Sequence, residues 1–141
     1  MQNRRGFIKT TCAICAAAAG LGFVITELES CKTADPSTIT VSKRGVTVPL
    51  NQMANQSILI IKSASLEYDI ALIKKSEAEY LALQMICTHR QNPVTVSSHG
   101  FFCPSHGSEF DMEGNATKGP AENPLKKFST VIKEGKAIIS I

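Results

Sequence analysis

The chain has 141 residues, 15 of them basic and 12 acidic, for a formal net charge of +3. That is room for one domain behind an N-terminal segment, and no basic stripe interleaved with aromatics is present, which excludes nucleic acid as a partner. The five cysteines, Cys12, Cys15, Cys31, Cys87 and Cys103, are too scattered for the disulfide framework of a secreted miniprotein.

Residues 1–30 read as an export address. Arg4-Arg5 precedes Phe7-Ile8-Lys9, and the run from Thr10 to Thr26 is uncharged and rich in Ala and Gly. This resembles a twin-arginine signal, with its basic start, arginine pair and moderately apolar helix. An ordinary signal peptide, or an anchor whose arginines follow the positive-inside tendency, is the alternative. At about 1.5 Å per residue the uncharged run spans roughly 25 Å, short of the roughly 30 Å hydrocarbon core. Leu28-Glu29-Ser30-Cys31 in turn resembles a lipobox, in which the cysteine is acylated and becomes the first residue of the mature protein. Glu29 departs from the small or apolar residue usual there. Lipidation at Cys31 or an uncleaved anchor would each tether the rest of the chain to the outer face of the membrane, whereas simple cleavage would release it.

Residues 31–37, with Asp35-Pro36-Ser37, read as a linker, and residues 38–141 as the folded domain. Short β-like runs follow one another through it. Ile39–Val41 and Val46–Leu50 flank a Lys43-Arg44-Gly45 turn, and Ser57–Lys62 and Tyr68–Lys74 are rich in Ile and Leu. Tyr80 to Ile86 alternates with the period of a half-buried strand and stops at Cys87. Pro93–Val96, a Ser97-Ser98-His99-Gly100 turn and Phe101-Phe102 make a hairpin that returns the chain to Cys103. Ser129–Lys133 and Lys136–Ile141 enclose Glu134-Gly135, a two-residue hairpin signal. No amphipathic helix of about twelve residues appears, so the fold class is all-β and antiparallel, with roughly eight to ten short strands.

Two runs carry the chemistry: Cys87-Thr88-His89 and Cys103-Pro104-Ser105-His106-Gly107-Ser108. Each offers one thiolate and one imidazole, and the hairpin between them brings both pairs to one place. Two thiolates with two imidazoles suit either tetrahedral zinc or the unequal ligand set of a Rieske cluster. Against zinc stand the large sheet around the pair, the single residue inside Cys-x-His, and the detail of Pro104, Gly107 and Ser108.

These two runs resemble the cluster-binding loops of Rieske [2Fe-2S] proteins. Gly119-Pro120-Ala121 resembles the proline-bearing third loop that covers the cluster in that family, and Asn123-Pro124-Leu125 matches its usual ending. The resemblance implies a Rieske-type antiparallel sandwich with a small cluster-binding subdomain of hairpin loops, over about Ile39 to Ile141. It implies that Cys87 and Cys103 ligate one iron and His89 and His106 the other, more exposed iron. Two neutral imidazoles in place of thiolates raise the potential over an all-cysteine cluster, and their outer nitrogens can couple electron transfer to proton transfer. A cluster inserted in the cytoplasm also suits a twin-arginine leader, because that route carries folded proteins.

Departures from the family are informative. Asn92 and Ser105 stand where Rieske subunits of cytochrome bc complexes carry two further cysteines that bridge the loops. Their joint absence implies the ferredoxin-type arrangement without a disulfide. Ser108 is retained, and its hydroxyl is expected to donate to a bridging sulfide. Phe110 stands where high-potential members have a tyrosine donating to a ligand sulfur, so the resemblance implies a potential below that of quinol-oxidising bc-complex centres. Arg90 reads as a solvated loop residue or a guide for an acidic partner, His99 as a turn residue, and Met85 as core.

The expected function is one-electron transfer by an exported, membrane-tethered carrier, or by a small subunit of a respiratory-type oxidoreductase. A redox partner protein would dock at the exposed histidines. A ferredoxin serving a ring-hydroxylating oxygenase and a zinc-stabilised binding module are the alternatives. No motif offers a nucleophile with its base or a phosphate-binding loop, so no substrate site is expected in the domain itself.

Overall fold

The structure is a computed structural model, and residues 38–141 are described. The expected export segment and linker over residues 1–37, Cys31 included, lie outside the described residues. Eleven strands occur among the described residues: β1 Thr40–Ser42, β2 Gly45–Pro49, β3 Ile58–Ile61, β4 Ile70–Lys74, β5 Tyr80–Gln84, β6 Thr95–Ser97, β7 Gly100–Phe102, β8 Glu109–Phe110, β9 Ala116–Lys118, β10 Lys127–Lys133 and β11 Lys136–Ser140. They form one seven-stranded antiparallel sheet, ordered β1-β2-β11-β10-β5-β4-β3, and one four-stranded sheet, ordered β6-β7-β8-β9. The all-β, antiparallel fold class expected from the alternation is what forms.

Side-chain alternation explains how the larger sheet is used. Along β10, Phe128, Thr130 and Ile132 turn inward while Lys127, Ser129, Val131 and Lys133 face solvent. β4 instead buries Ile70, Ala71, Leu72 and Ile73 in succession, because core lies on both of its faces. Ile70 and Leu72 join Val46, Val48, Ala137 and Ile139 in one buried cluster. Ala71 and Ile73 join Cys87, Cys103, Phe101, Phe110 and Leu125 in the other. The seven-stranded sheet therefore curls until β2 and β11 face β4, and β4 and β5 form a shared wall between that core and the one beneath the ligand runs. Each fully buried Leu, Ile or Phe stabilises this arrangement by about 1.5–3 kcal/mol.

Most departures from the expected strands are local. Val46–Leu50 ends one residue early, because Leu50–Met53 forms a 3-10 turn that buries Met53. The strand expected to reach Ile86 ends at Gln84, and Ile86 only bridges Pro93. The strand count exceeds the expected range because β8 and β9, of 2 and 3 residues, are too short to show periodicity. The β10–β11 turn forms as read: Glu134 and Gly135 both have positive φ, 52° and 70°, the geometry whose twist matches the flanking strands.

Candidate metal centre

Both ligand runs fold into the same closed turn. In the first, the Cys87 N–H donates to the Asn92 carbonyl at 2.8 Å, and the Gln91 N–H donates back to the Cys87 carbonyl at 2.8 Å. In the second, the Cys103 N–H donates to the Ser108 carbonyl at 2.8 Å, and the Gly107 N–H donates to the Cys103 carbonyl at 2.9 Å. The fifth residue of each turn has left-handed backbone, Gln91 at φ 54° and Gly107 at φ 78°. That conformation lets six residues double back on the cysteine that began them, and a glycine adopts it more readily than a glutamine.

The sheets bring the two turns together. The first turn leaves the larger sheet just past β5, and the second interrupts the chain between β7 and β8, whose ladder pairs Phe102 with Glu109. The His89 and His106 rings consequently meet edge to face, centroids 5.0 Å apart at 87°. Cys87 and Cys103 are free thiols, both buried, whereas His89 is half-buried and His106 exposed. The sulfur donors thus lie inward and the imidazoles toward the surface.

One atom tests whether a metal group belongs here. His89 Nδ1 is buried and has no hydrogen-bond partner. An unpaired buried nitrogen costs about 1–3 kcal/mol, and coordination to a metal would satisfy it. Two buried thiols and two surface-side imidazoles, one of them with an orphaned inner nitrogen, fit a cluster with separate sulfur and nitrogen ends.

A third segment closes over the turns. Gly119 and Pro120 are exposed and joined by a cis peptide bond, and Ala121 and Leu125 beyond them are buried in the same core as the cysteines. The Ala121 N–H donates to Ser108 Oγ at 3.0 Å, and Thr88 Oγ1 donates to the Asn123 carbonyl at 2.6 Å. Nearby, Asp111 organises the β8–β9 turn. Its Oδ1 accepts from the backbone N–H groups of Glu113 at 2.9 Å and Asn115 at 2.8 Å, and its Oδ2 accepts from Asn115 Nδ2 at 2.9 Å. Burial alone would raise the Asp111 pKa, but these hydrogen bonds and the charge of Lys127 outweigh it and hold the carboxyl below its ordinary value.

Compared with known proteins, the family model described as the Rieske [2Fe-2S] domain matches residues 46–129. The chain belongs to the Rieske [2Fe-2S] domain family. It is 32% identical over 116 residues to the mitochondrial cytochrome b-c1 complex subunit Rieske of Solanum tuberosum, covering 73% of this chain and 42% of that protein. It is 30% identical over 119 residues to the ubiquinol-cytochrome c reductase iron-sulfur subunit of Rhodospirillum rubrum, covering 74% of this chain and 64% of that one. The chain thus spans less than two thirds of the length of these relatives. The crystal structure of a cyanobacterial plasma membrane Rieske protein from Synechocystis PCC 6803 superposes with a TM-score of 0.56 at 21% identity, covering 72% of this chain and 100% of that one. That likeness shows the fold.

Rieske domains bind a [2Fe-2S] cluster, which is the cofactor of this chain, and the domain is an electron carrier. Of the residues singled out in the sequence, the fold places Cys87 and Cys103 in one buried core and the His89 and His106 rings in edge-to-face contact. Ser108, fully buried, and Phe110, 2% exposed, lie behind them. Arg90 is exposed beside the site. His99 sits on the β6–β7 turn, its Nδ1 2.7 Å from Ser98 Oγ, and Met85 is core. Asn92 and Ser105 leave the turns without a disulfide, and Asn92 contributes its carbonyl to the first turn instead. The Thr88 and Asp111 contacts escaped the sequence reading, because both depend on partners placed by the fold.

Proposed function

We propose that Cys87, His89, Cys103 and His106 hold the [2Fe-2S] cluster, and that the chain is an exported, membrane-tethered one-electron carrier or small subunit of a respiratory-type oxidoreductase. The observation that carries the ligand assignment is the buried, unpartnered His89 Nδ1 beside two buried thiols and a second imidazole. When bound, the cluster takes up and gives back one electron. Cys87 and Cys103 keep the sulfur end dry, while His89 and His106 reach toward a docking partner. Ser108 Oγ already accepts from Ala121, so its proton is available to donate to a bridging sulfide. The respiratory reading draws support from relatives named as subunits of cytochrome b-c1 and ubiquinol-cytochrome c reductase complexes. The tether and the periplasmic or outer-face location rest on Arg4-Arg5 and Cys31.

Electron paramagnetic resonance of the dithionite-reduced protein tests the assignment. The expected spectrum is that of a mixed nitrogen/sulfur [2Fe-2S] centre. A colourless protein prepared without oxygen, with zinc in stoichiometric amount, would overturn it. A ferredoxin serving a ring-hydroxylating oxygenase is the second reading, favoured by the missing inter-loop disulfide. Cell fractionation separates the two, since that work is cytoplasmic.

Phe110 makes a further expectation. A phenol at this buried position would donate to a ligand sulfur and stabilise the electron-rich reduced cluster. Phe110→Tyr is therefore expected to raise the potential by roughly 40–60 mV, the one-electron equivalent of a hydrogen bond worth about 1–1.4 kcal/mol. Protein-film voltammetry reads the shift. An unchanged potential would remove Phe110 from the explanation, and a wild-type value as high as bc-complex centres would defeat it.

A further inference from the structure

Two ligand turns without a covalent link need another device to fix their separation. The Ile86–Pro93 bridge closes the base of the first turn and the β7–β8 ladder closes that of the second, but these contacts tie each turn to itself. Residues 121–126 supply the missing connection in one pass. The Ala121 N–H donates to Ser108 Oγ at the base of the second turn, and the Asn123 carbonyl accepts from Thr88 Oγ1 in the first. The Leu125 N–H donates to the Gly114 carbonyl at 2.8 Å, and the Lys126 carbonyl accepts from the Gln84 N–H at 2.9 Å. The segment is thereby anchored to the β8–β9 turn and to the last residue of β5. Ala121 and Leu125 bury their side chains between these contacts, so it cannot slide along the turns.

Within this arrangement Thr88 holds a particular place. It lies between two candidate ligands, Cys87 and His89, and its hydroxyl ties the first turn directly to the backbone of the third segment. At 2.6 Å that bond is at the short end for a hydroxyl on a carbonyl. We propose that Thr88 is a positioning residue: its hydroxyl clasps the first ligand turn to the third segment, which already holds the second through Ser108. The spacing of the two imidazoles is then set through residues 121–123, in place of a bond between the loops. This rests on the ligand assignment proposed above.

The test uses the cluster-loaded protein and two variants. Thr88→Val keeps the shape and removes the hydroxyl; Thr88→Ser keeps the hydroxyl and removes the methyl. Thr88→Val is expected to release iron to a chelator roughly tenfold faster and to alter the paramagnetic resonance line shape, with Thr88→Ser behaving as wild type. In the cluster-free protein, amide exchange across residues 87–92 and 121–124 should speed up in Thr88→Val alone. Equal behaviour of Thr88→Val and wild type in all three readouts would overturn the clasp. So would equal impairment of the two variants, which would assign the effect to the methyl group. A wild-type protein with no Rieske signal would overturn the ligand assignment, and the clasp with it.

Discussion

Gly100→Ala is expected to disrupt the end of the domain that carries the second ligand turn. A Cβ at this position would sit 2.0 Å from the Phe110 carbonyl oxygen and 2.8 and 2.9 Å from the carbonyl carbon and Cα of Asp111. All three are backbone atoms held by the β7–β8 ladder, in which Phe101 pairs with Phe110, so no side chain can swing aside. The backbone φ of 150° is also one that L side chains rarely adopt. Either the ladder moves, carrying Cys103 and Phe110 with it, or the β6–β7 hairpin opens where Ser97 pairs with Gly100. The expected loss is at least about 3 kcal/mol, read as a fall in the denaturant midpoint at unchanged slope. A melting temperature within a degree of wild type would show that the strands can separate without cost.

Asp111 is expected to make the same region acid-sensitive. Its pKa lies below the ordinary carboxylate value in the folded chain, because three accepted hydrogen bonds and Lys127 outweigh the opposing effect of burial. A carboxyl depressed in this way contributes stability that is complete above its unfolded pKa. That contribution is lost as pH falls through the folded one. Asp111→Ala removes the acceptor of all three bonds and should cost about 1–2 kcal/mol at neutral pH, the lower part of the range for charged acceptors because the carboxyl is partly solvated. Thermal melts at neutral and strongly acidic pH provide the check. The gap between wild type and variant should narrow in acid; a constant gap would mean that Asp111 acts by packing.

The sequence reading reached the ligand turns because their residue types are rare and their contacts local. Cys87 to Asn92 and Cys103 to Ser108 each close on themselves within six residues, so the motif and the turn are nearly the same object. The turn signal reached β10 and β11 for the same reason: Glu134-Gly135 names its own turn between Ser129–Lys133 and Lys136–Ile141, although β10 begins two residues earlier, at Lys127. β8 and β9 were not legible, since strands of 2 and 3 residues exist only because β7 pairs with β8 and β8 with β9. Thr88 read as an ordinary member of Cys-Thr-His, because its partner stands 35 positions away. Gly100 read as a turn residue, although its requirement comes from the carbonyl of Phe110 across the sheet. Alternation along β4 likewise fails as a guide, since both faces of that strand are covered.

Cys87 and Cys103 are the free cysteines of the described domain, and hydrogen bonds join its loops where a sulfur–sulfur bond would otherwise stand. Its loops are therefore held without a disulfide that a reductant would have to spare. The hydrogen bonds that join these loops need no covalent rearrangement when the surroundings pass from reducing to oxidising.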